Sequence, residues 1–475
     1  MPMDDRSTFS YKSPNVFGRI AVAWKLIIGL RGQELQSVGS WIERNYAQSG
    51  RVVGFIRFVG WAVKSMLVDI PNALVGVTFA KPMSKVSYWL AADNPVKNHP
   101  WASQPNARLP EACEVVVIGA GFTGAACAYH WSKRNGGQMV LLEMNEAASG
   151  ASGRNEGVVV MGRFHAYVKK MMLDDLPRVR PDLDSAQRER LAEKFAEAYV
   201  RAAYKNADYD LSRPFATRGF GVDYARVGWV QGQTDDSQDY LDYSVRESYE
   251  KGLRRLGLGR AEAGPGIDRH EGRVRVEDTG DRYAVHTNRG TITARYVINA
   301  TESYTAALHP EFIGKLVPIQ TNAAFAEGGP AAMKEHVAMG GPNSWFGKHP
   351  DGVILGTGGI TLDYTQAGRI RPSRFLTNYI ITEIQHIFGH SPMHVFREWS
   401  CTAGFTDDEY PIVGLLDGKN QYIIAGMCGS GSGVHFNGAR HVVDHILGIE
   451  GPDDYPEQFF SPTRVLDPEA HLWPE

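Results

Sequence analysis

The sequence predicts an α/β fold with a parallel sheet, an interleaved α+β domain and a helical N-terminal extension. Three observations support this. A short apolar stretch, Glu114–Ile118, runs directly into G-A-G-F-T-G, a second apolar stretch at 138–143 ends in an acid, and residues 1–100 differ in charge from the remainder. At 475 residues the chain is long enough for two domains with separate cores.

The first apolar stretch carries no charge after its first residue, which is typical of a parallel strand buried on both faces. The loop that follows holds Gly119, Gly121, Phe122, Thr123 and Gly124. Its three glycines suit a tight turn, close approach of the backbone to a pyrophosphate, and close packing of helix on strand. A helix is predicted at 125–134, ending at two glycines. Its N-terminus offers backbone N–H groups to a diphosphate.

The second strand ends at Glu143, 19 residues beyond the third glycine. A carboxylate at this place accepts hydrogen bonds from ribose hydroxyls and repels a 2′-phosphate. Strand, loop, helix, strand and acid together predict a bound dinucleotide. NAD enzymes and FAD enzymes share this unit, so the unit by itself leaves both open.

The residues after Glu143 favour FAD. The run AASGASGRNEG at 147–157 resembles the FAD-dependent amine and amino-acid oxidases of the D-amino-acid oxidase superfamily, and within it the gamma-glutamylputrescine oxidases. Further similar segments are VSYWLAADNP (86–95), YVINATESYTAAL (296–308), WSCTAGFTDDEYPIVG (399–414) and the glycine-rich stretch at 422–448. The resemblance implies a glutathione-reductase-like, FAD-binding Rossmann domain beside a substrate domain. Residues 158–295 match poorly.

The same resemblance implies FAD contacts along four segments. In addition to the first loop and Glu143, the implied FAD-binding residues are Ser149, Ser152, Gly153, Arg154, Asn155, Ala300, Thr301, Cys401, Gly431, Ser432, Gly433 and Val434. In this family the glycine-rich turn and the helix after it place backbone N–H groups near flavin N1 and the C2 carbonyl.

Cys401 stands where the family motif W-x-G-x-x-G-[YF]-T-x-D has its first glycine, five residues before Thr406. Monomeric sarcosine oxidases, which belong to the superfamily, hold FAD covalently through a cysteine at a similar offset. The resemblance therefore implies a thioether between Cys401 and the flavin 8α-methyl group. The alternative is a small buried cysteine that fills the space of the glycine.

His435 and Asn437 follow Gly433 in GSGVHFNG, and we predict that both face the substrate or the flavin. A histidine that titrates near neutrality accepts a proton from an ammonium group or orients it. The alternative is a histidine that only makes structural hydrogen bonds. The sequence has no HExxH, GxSxG or Walker loop and no Cys/His ligand spacing, so it predicts no metal site.

The resemblance implies an enzyme that oxidises the C–N bond of a small amine or amino acid. Hydride would pass to flavin N5, the imine would be hydrolysed, and O2 would be the acceptor. Sarcosine oxidases activate O2 with a lysine on a substrate-domain strand, where this chain has Ile354 in DGVILGTGG. Two alternatives therefore stay open: a dehydrogenase that reduces a quinone or another carrier, and a flavin-bearing partner subunit without turnover.

The predicted domains interleave along the chain. Residues 1–110 form the N-terminal helical extension and linker, residues 111–165, 257–317 and 396–450 the FAD-binding domain, residues 166–256 and 318–395 the substrate domain, and residues 451–475 a C-terminal tail. Helices are expected at 184–205, 235–256 and 373–388, and a hairpin at 273–287.

The composition predicts a globular cytoplasmic protein with no nucleic-acid partner. The net charge is −3, and four widely spaced cysteines and a polar N-terminus suit a reducing compartment. Residues 1–100 differ, with 12 Lys/Arg and 6 Asp/Glu. Their apolar stretches, 16–30 and 52–67, are shorter than the roughly 18 to 20 residues of a membrane span. From this basic charge and these apolar stretches we predict that residues 16–80 contact a membrane surface, a second subunit or the body of the protein itself.

Overall fold

The computed structural model contains two large sheets with helices around the first. It describes residues 8–11, 50–64, 86–92, 104, 107–158, 165–205, 229–231, 261–264, 274–313, 315–335, 337–340, 344–357, 391–406, 408–449 and 455–474, with parts of 16–24 and 372–389. The predicted helix at 235–256 lies outside these residues, as does most of the stretch at 16–30.

The strands are β1 (Thr8–Tyr11), β2 (Ala112–Ile118), β3 (Met139–Leu142), β4 (Trp229–Gln231), β5 (Ala261–Gly264), β6 (Arg275–Asp278), β7 (Tyr283–Thr287), β8 (Gly290–Asn299), β9 (Leu316–Gly328), β10 (Ala338–Gly340), β11 (Ser344–His349), β12 (Gly352–Thr357), β13 (Met393–Thr406), β14 (Ile412–Leu415) and β15 (Gln421–Ala425). The helices are α1 (Arg51–Lys64), α2 (Tyr88–Ala92), α3 (Phe122–Lys133), α4 (His165–Val179), α5 (Ser185–Lys205), α6 (Thr305–Leu308), α7 (His435–Leu447), α8 (Glu457–Phe460) and α9 (Pro462–Leu466). Short 3-10 turns lie at Ala151–Gly153, Glu302–Tyr304, Pro310–Phe312 and Gly431–Gly433.

The first sheet has the order β14-β15-β8-β2-β3, and the hairpin β6–β7 joins it at β8. Strands β3, β2, β8 and β15 are parallel. Alternate residues of β2 face opposite sides: Val115 and Val117 pack among the helices, while Val116 and Ile118 pack against the hairpin. The strand is thus buried on both faces, as its charge-free sequence predicts.

Helices α4 and α5 pack on this first sheet. Asp184 begins α5 with a reciprocal cap, accepting from Gln187 N at 2.8 Å while its own N–H donates to Gln187 Oε1 at 2.8 Å. Phe195 and Met172 lie in the same buried cluster as Val115 of β2. The domain boundaries predicted from the sequence assign residues 166–256 to the substrate domain, whereas α4 and α5 share a buried core with the first sheet, which carries the glycine loop. The domain division otherwise stays a prediction.

The second sheet has the order β13-β9-β12-β11-β10-β4 and is antiparallel except between β10 and β4. Strand β13 pairs with β9 along almost its whole length, from Met393↔Gly328 to Thr406↔Leu316. Its far end also meets the first sheet, because Cys428 N donates to Gly404 O at 2.9 Å. The two sheets therefore meet along the end of β13, where the candidate site lies. Among the residues just described, no helix is long and apolar enough to cross a membrane.

Candidate functional site

The glycine loop between β2 and α3 is closely packed on both sides. Gly119 has φ +106°, and a Cβ there would lie 2.4 Å from Ala300 O at the end of β8. At Gly124 a Cβ would lie 1.8 Å from Gly119 O, so the helix starts directly against the turn. Only glycine fits either position. Gly121 has no side chain to cap α3, and Phe122 N is bonded to Ser152 Oγ at 2.7 Å, so an anion at this helix end would meet the N–H groups that follow Phe122.

Two side chains shape the entrance to this loop. Glu143 accepts hydrogen bonds from Ala120 N at 2.8 Å and from Asn145 N at 3.0 Å. These bonds orient the carboxylate and leave further lone pairs for an external donor. Ser152 Oγ accepts from Phe122 N at 2.7 Å, so the loop at 149–157 is tied to the first turn of α3.

The loop at 149–157 is supported from the N-terminal side by α2. Ser87 Oγ donates to Gly153 O, and Trp89 Nε1 donates to Asn155 O at 2.8 Å. A Cβ on Gly157 would lie 2.7 Å from the Trp89 ring. The resemblance identified this lead-in segment, but its contacts with the loop depend on tertiary packing.

Arg154 connects this loop to β13. Its guanidinium donates to Ser149 O at 2.8 Å and to Ser400 O at 3.3 Å, and Trp399 Nε1 donates to Arg154 O at 2.7 Å. Burial lowers the pKa of Arg154. Cys401 follows on the same strand, buried, with its Sγ against the hydroxyl of Thr321 on β9.

Glu302 is a site residue that the sequence reasoning missed. It follows Ala300 and Thr301 at the end of β8 and has φ +49°, in the region that favours glycine. Its carboxylate accepts from Gly404 N at 2.8 Å and from Met427 N at 2.9 Å, so it links β8 to β13 and to the turn after β15. Burial raises the pKa of Glu302 to about 7, against the lowering effect of these donors. An acid three residues after the end of the apolar strand was the available signal.

The glycine-rich turn at Gly431–Gly433 leads through the buried Val434 into α7. His435 stacks on Phe122 with ring centroids 5.2 Å apart, and its Nδ1 lies 2.6 Å from Gly431 O. Because a carbonyl only accepts, Nδ1 carries the proton and Nε2 is an acceptor. Burial lowers the pKa of His435 to about 4, so the ring is neutral at pH 7.

Asn437 faces a different direction. Its amide donates to Ala202 O of α5 at 3.4 Å and accepts from Arg440 Nε at 3.1 Å. Residues two apart on a helix point to different sides, and the structure separates Asn437 from His435 accordingly.

The other predicted segments meet around the glycine loop. Gly119 of this loop lies against Ala300 at the end of β8, and Ser152 of the loop at 149–157 accepts a hydrogen bond from Phe122 N. The Phe122 ring in turn stacks on His435, which follows the glycine-rich turn. The residues fit a dinucleotide: a helix N-terminus directly after the glycine loop for the diphosphate, an oriented carboxylate for the ribose, and two glycine-rich turns. The cysteines, all four of them buried free thiols, form no disulfide.

The fold and site are those of a protein built to bind a dinucleotide. The model of the FAD-dependent oxidoreductase family matches residues 114–281 and 265–445. The chain belongs to this family, and FAD is the family's cofactor.

Known proteins resemble the chain more distantly. A protein described as probable oxidoreductase OrdL of Rhizobium meliloti (strain 1021) is 23% identical over 270 residues, which cover 52% of this chain and 61% of that protein. Glycine oxidase from Geobacillus kaustophilus has a TM-score of 0.49 and 14% identity, covering 75% of this chain and 99% of that one. Iminodiacetate oxidase from Chelativorans sp. BNC1 has a TM-score of 0.49 and 17% identity, covering 74% and 99%.

Proposed function

We propose that the protein catalyses the FAD-dependent oxidation of the C–N bond of an amine or amino acid, with O2 as the acceptor. The observation that supports this most is that the dinucleotide cradle contacts β13 through buried Arg154, while neutral His435 stacks on Phe122 of the same cradle. FAD, when bound, supplies the two-electron oxidant. The polypeptide then has to bind the substrate, orient it and exclude water.

His435 suits an orienting role rather than that of a strong base. With Nδ1–H committed to Gly431 O, its Nε2 lone pair is the group available to accept an N–H from a neutral amine. A ring with a pKa of about 4 binds little proton at pH 7, so the amine proton leaves to another acceptor.

Anaerobic mixing of the holoenzyme with a panel of amines and amino acids tests the proposal. Bleaching of the flavin absorbance by at least one of them is expected. If none bleaches the flavin, the protein is a flavin-bearing partner subunit without turnover, and the proposal fails.

A dehydrogenase with the same fold is the second candidate, and Ile354 favours it. This residue is buried on β12 between Phe325 and Gly347, and Lys348 on β11 instead donates to Gly328 O at 3.0 Å. Stopped-flow reoxidation separates the candidates. Rapid reaction of the reduced enzyme with O2 supports the oxidase, whereas rapid reaction with a quinone alone supports the dehydrogenase.

The N-terminal segment is proposed to contact a membrane surface or a second subunit. Helix α1 buries Phe58, whereas Val52, Phe55 and Ile56 on it are exposed. Residues 1–100 also carry the net positive charge that anionic lipid attracts. Flotation with vesicles of anionic and of zwitterionic lipid, together with sedimentation in detergent-free buffer, distinguishes the two contacts.

A further inference from the structure

The stretch at 16–24 presents apolar side chains to solvent. The structure describes residues 16, 17, 20, 21 and 24 of this stretch, and all of them are helical and exposed. Phe17 is 83% exposed and Trp24 is 64% exposed, although rings of this size gain much from burial. Val16, Ile20 and Trp24 are four residues apart and therefore lie on one face of the helix. That face is an apolar stripe in contact with water.

Helix α1 also turns an apolar side outward. Gly54 and Phe58, one turn apart, are buried, so α1 packs on the protein through them. Val52 and Ile56 are one turn apart on another side of the helix and are exposed, as is Phe55 next to them. A surface helix of a globular protein normally buries its apolar face. The outward side of α1 therefore has the character of an interaction surface.

Both stretches carry positive charge and no negative charge. Each has three basic residues and no acid: Arg19, Lys25 and Arg31 in residues 16–33, and Arg51, Arg57 and Lys64 in residues 51–68. Basic residues beside exposed apolar side chains match an anionic phospholipid surface. Its headgroups attract the charges, and its acyl region accepts the apolar groups.

A second copy of the chain matches these stretches less well. In a symmetric dimer the same surface patch lies on both sides of the interface. Contact through these stretches would therefore bring the basic residues of one copy close to those of the other, and like charges across an interface oppose association. An anionic bilayer neutralises the same charges.

We propose that the stretch at 16–24 and helix α1 dock the protein on an anionic phospholipid bilayer, with Phe17, Trp24 and Ile56 entering its interfacial layer. The inference rests on the N-terminal contact proposed above and chooses the membrane over a second subunit. Trp24 suits this position because indole rings favour the boundary between headgroups and acyl chains.

Flotation of the FAD-saturated protein with lipid vesicles tests the docking. Vesicles of phosphatidylcholine mixed with an equal amount of phosphatidylglycerol should carry the protein upward in the gradient, and vesicles of phosphatidylcholine alone should carry far less of it. Raising the salt from about 0.1 M to about 1 M shortens the Debye length from about 10 Å to about 3 Å. The fraction bound to anionic vesicles should therefore fall severalfold.

The variant F17S/W24S/I56S removes the apolar contribution by changing exposed side chains only. Its partition coefficient on anionic vesicles should fall at least about tenfold. Leu472, which is 86% exposed near the other end of the chain, supplies the control L472S, which should partition as wild type does. Both variants should keep the flavin absorbance of wild type, which verifies that they fold.

Three results would overturn the docking: no flotation with anionic vesicles, equal binding to both kinds of vesicle, or equal partition of wild type and F17S/W24S/I56S. If wild type sediments as a dimer, this variant as a monomer, and neither floats, the surface joins two copies and the inference is lost.

The proposed oxidation fails separately, because bleaching of the flavin by amines is measured without vesicles. If the protein floats as expected but no amine bleaches its flavin, the docking stands without the oxidation. If amines bleach the flavin and the protein does not float, only the docking is lost.

Discussion

Glu302 should make the free energy of unfolding depend on pH in a way that the variant E302Q lacks. Two opposing effects act on its carboxyl group. Backbone N–H donors at Met427 and Gly404 favour the charged form, while burial favours the neutral one. Burial is the larger effect and raises the pKa of Glu302 from 4.5 to about 7.

The sign follows from the protons bound in each state. Between pH 4.5 and 7 folded Glu302 holds a proton that the unfolded chain has released, so the unfolding free energy falls as pH rises across this window. At about 1.4 kcal/mol per pKa unit, the full loss is about 3 kcal/mol. The residue keeps partial solvent contact, which reduces the expected loss to about 2 kcal/mol.

Urea denaturation of the FAD-saturated protein at pH 5 and pH 8 measures this effect. Wild type should lose about 2 kcal/mol more than E302Q between the two pH values, and E146Q, changed at an exposed acid, should follow wild type. Burial lowers the pKa of His435 to about 4 and that of His130 to about 3. Because the unfolded chain binds protons at these rings more readily than the folded chain does, they make the unfolding free energy fall as pH falls. Their contribution cancels in the comparison because every variant retains them.

Two results would refute this reasoning. An identical pH dependence in wild type and E302Q would mean that Glu302 has the same pKa in the folded and unfolded chain. A wild type that gains stability over E302Q as pH rises would mean that the two N–H donors favour the carboxylate more than burial opposes it.

Three further outcomes are expected. G119A should be obtained largely without flavin, because residue 119 has φ +106° and its Cβ would lie 2.4 Å from Ala300 O. The control G418A also has a positive φ, +71°, but nothing lies within 4 Å of its Cβ, so it should keep its flavin and lose only about 1 kcal/mol of unfolding free energy. E143Q should raise the Kd for FAD about tenfold in titrations of the apoprotein, and an unchanged Kd would remove this carboxylate from the cofactor site. If Cys401 forms a thioether, yellow colour stays with denatured wild type and with C428S but not with C401S, and colour lost from wild type contradicts the link.

The nucleotide unit was predictable from sequence because its determinants are local. The apolar strand, the three glycines and the acid 19 residues later lie within 30 residues, from Glu114 to Glu143, and each follows from backbone geometry or hydrogen-bonding chemistry. The structure confirms β2, α3 and β3 in this order, with α3 beginning at Phe122 rather than 125. The hairpin predicted at 273–287 and the helix at 184–205 are also confirmed, as β6–β7 and α5.

Contacts between residues far apart in the sequence could not be predicted from local patterns. The pattern of α5 predicts its apolar face, but not that the face packs on the first sheet. The spacing of His435 and Asn437 puts both near the glycine-rich turn, yet only packing decides that one stacks on Phe122 and the other contacts α5. A periodic pattern specifies which residues are buried and leaves their partners open.

The sequence by itself determined the strand–turn–helix that receives the dinucleotide, since its residues lie close together in the chain, and it determined the family and the FAD cofactor through several short motifs, each of them local. Only the tertiary structure decided the electrostatic state of the site. The raised pKa of Glu302 and the lowered pKa of His435 arise from burial by segments far away in sequence. The same is true of the raised pKa of Glu156, because desolvation belongs to the assembled fold and no short motif specifies it.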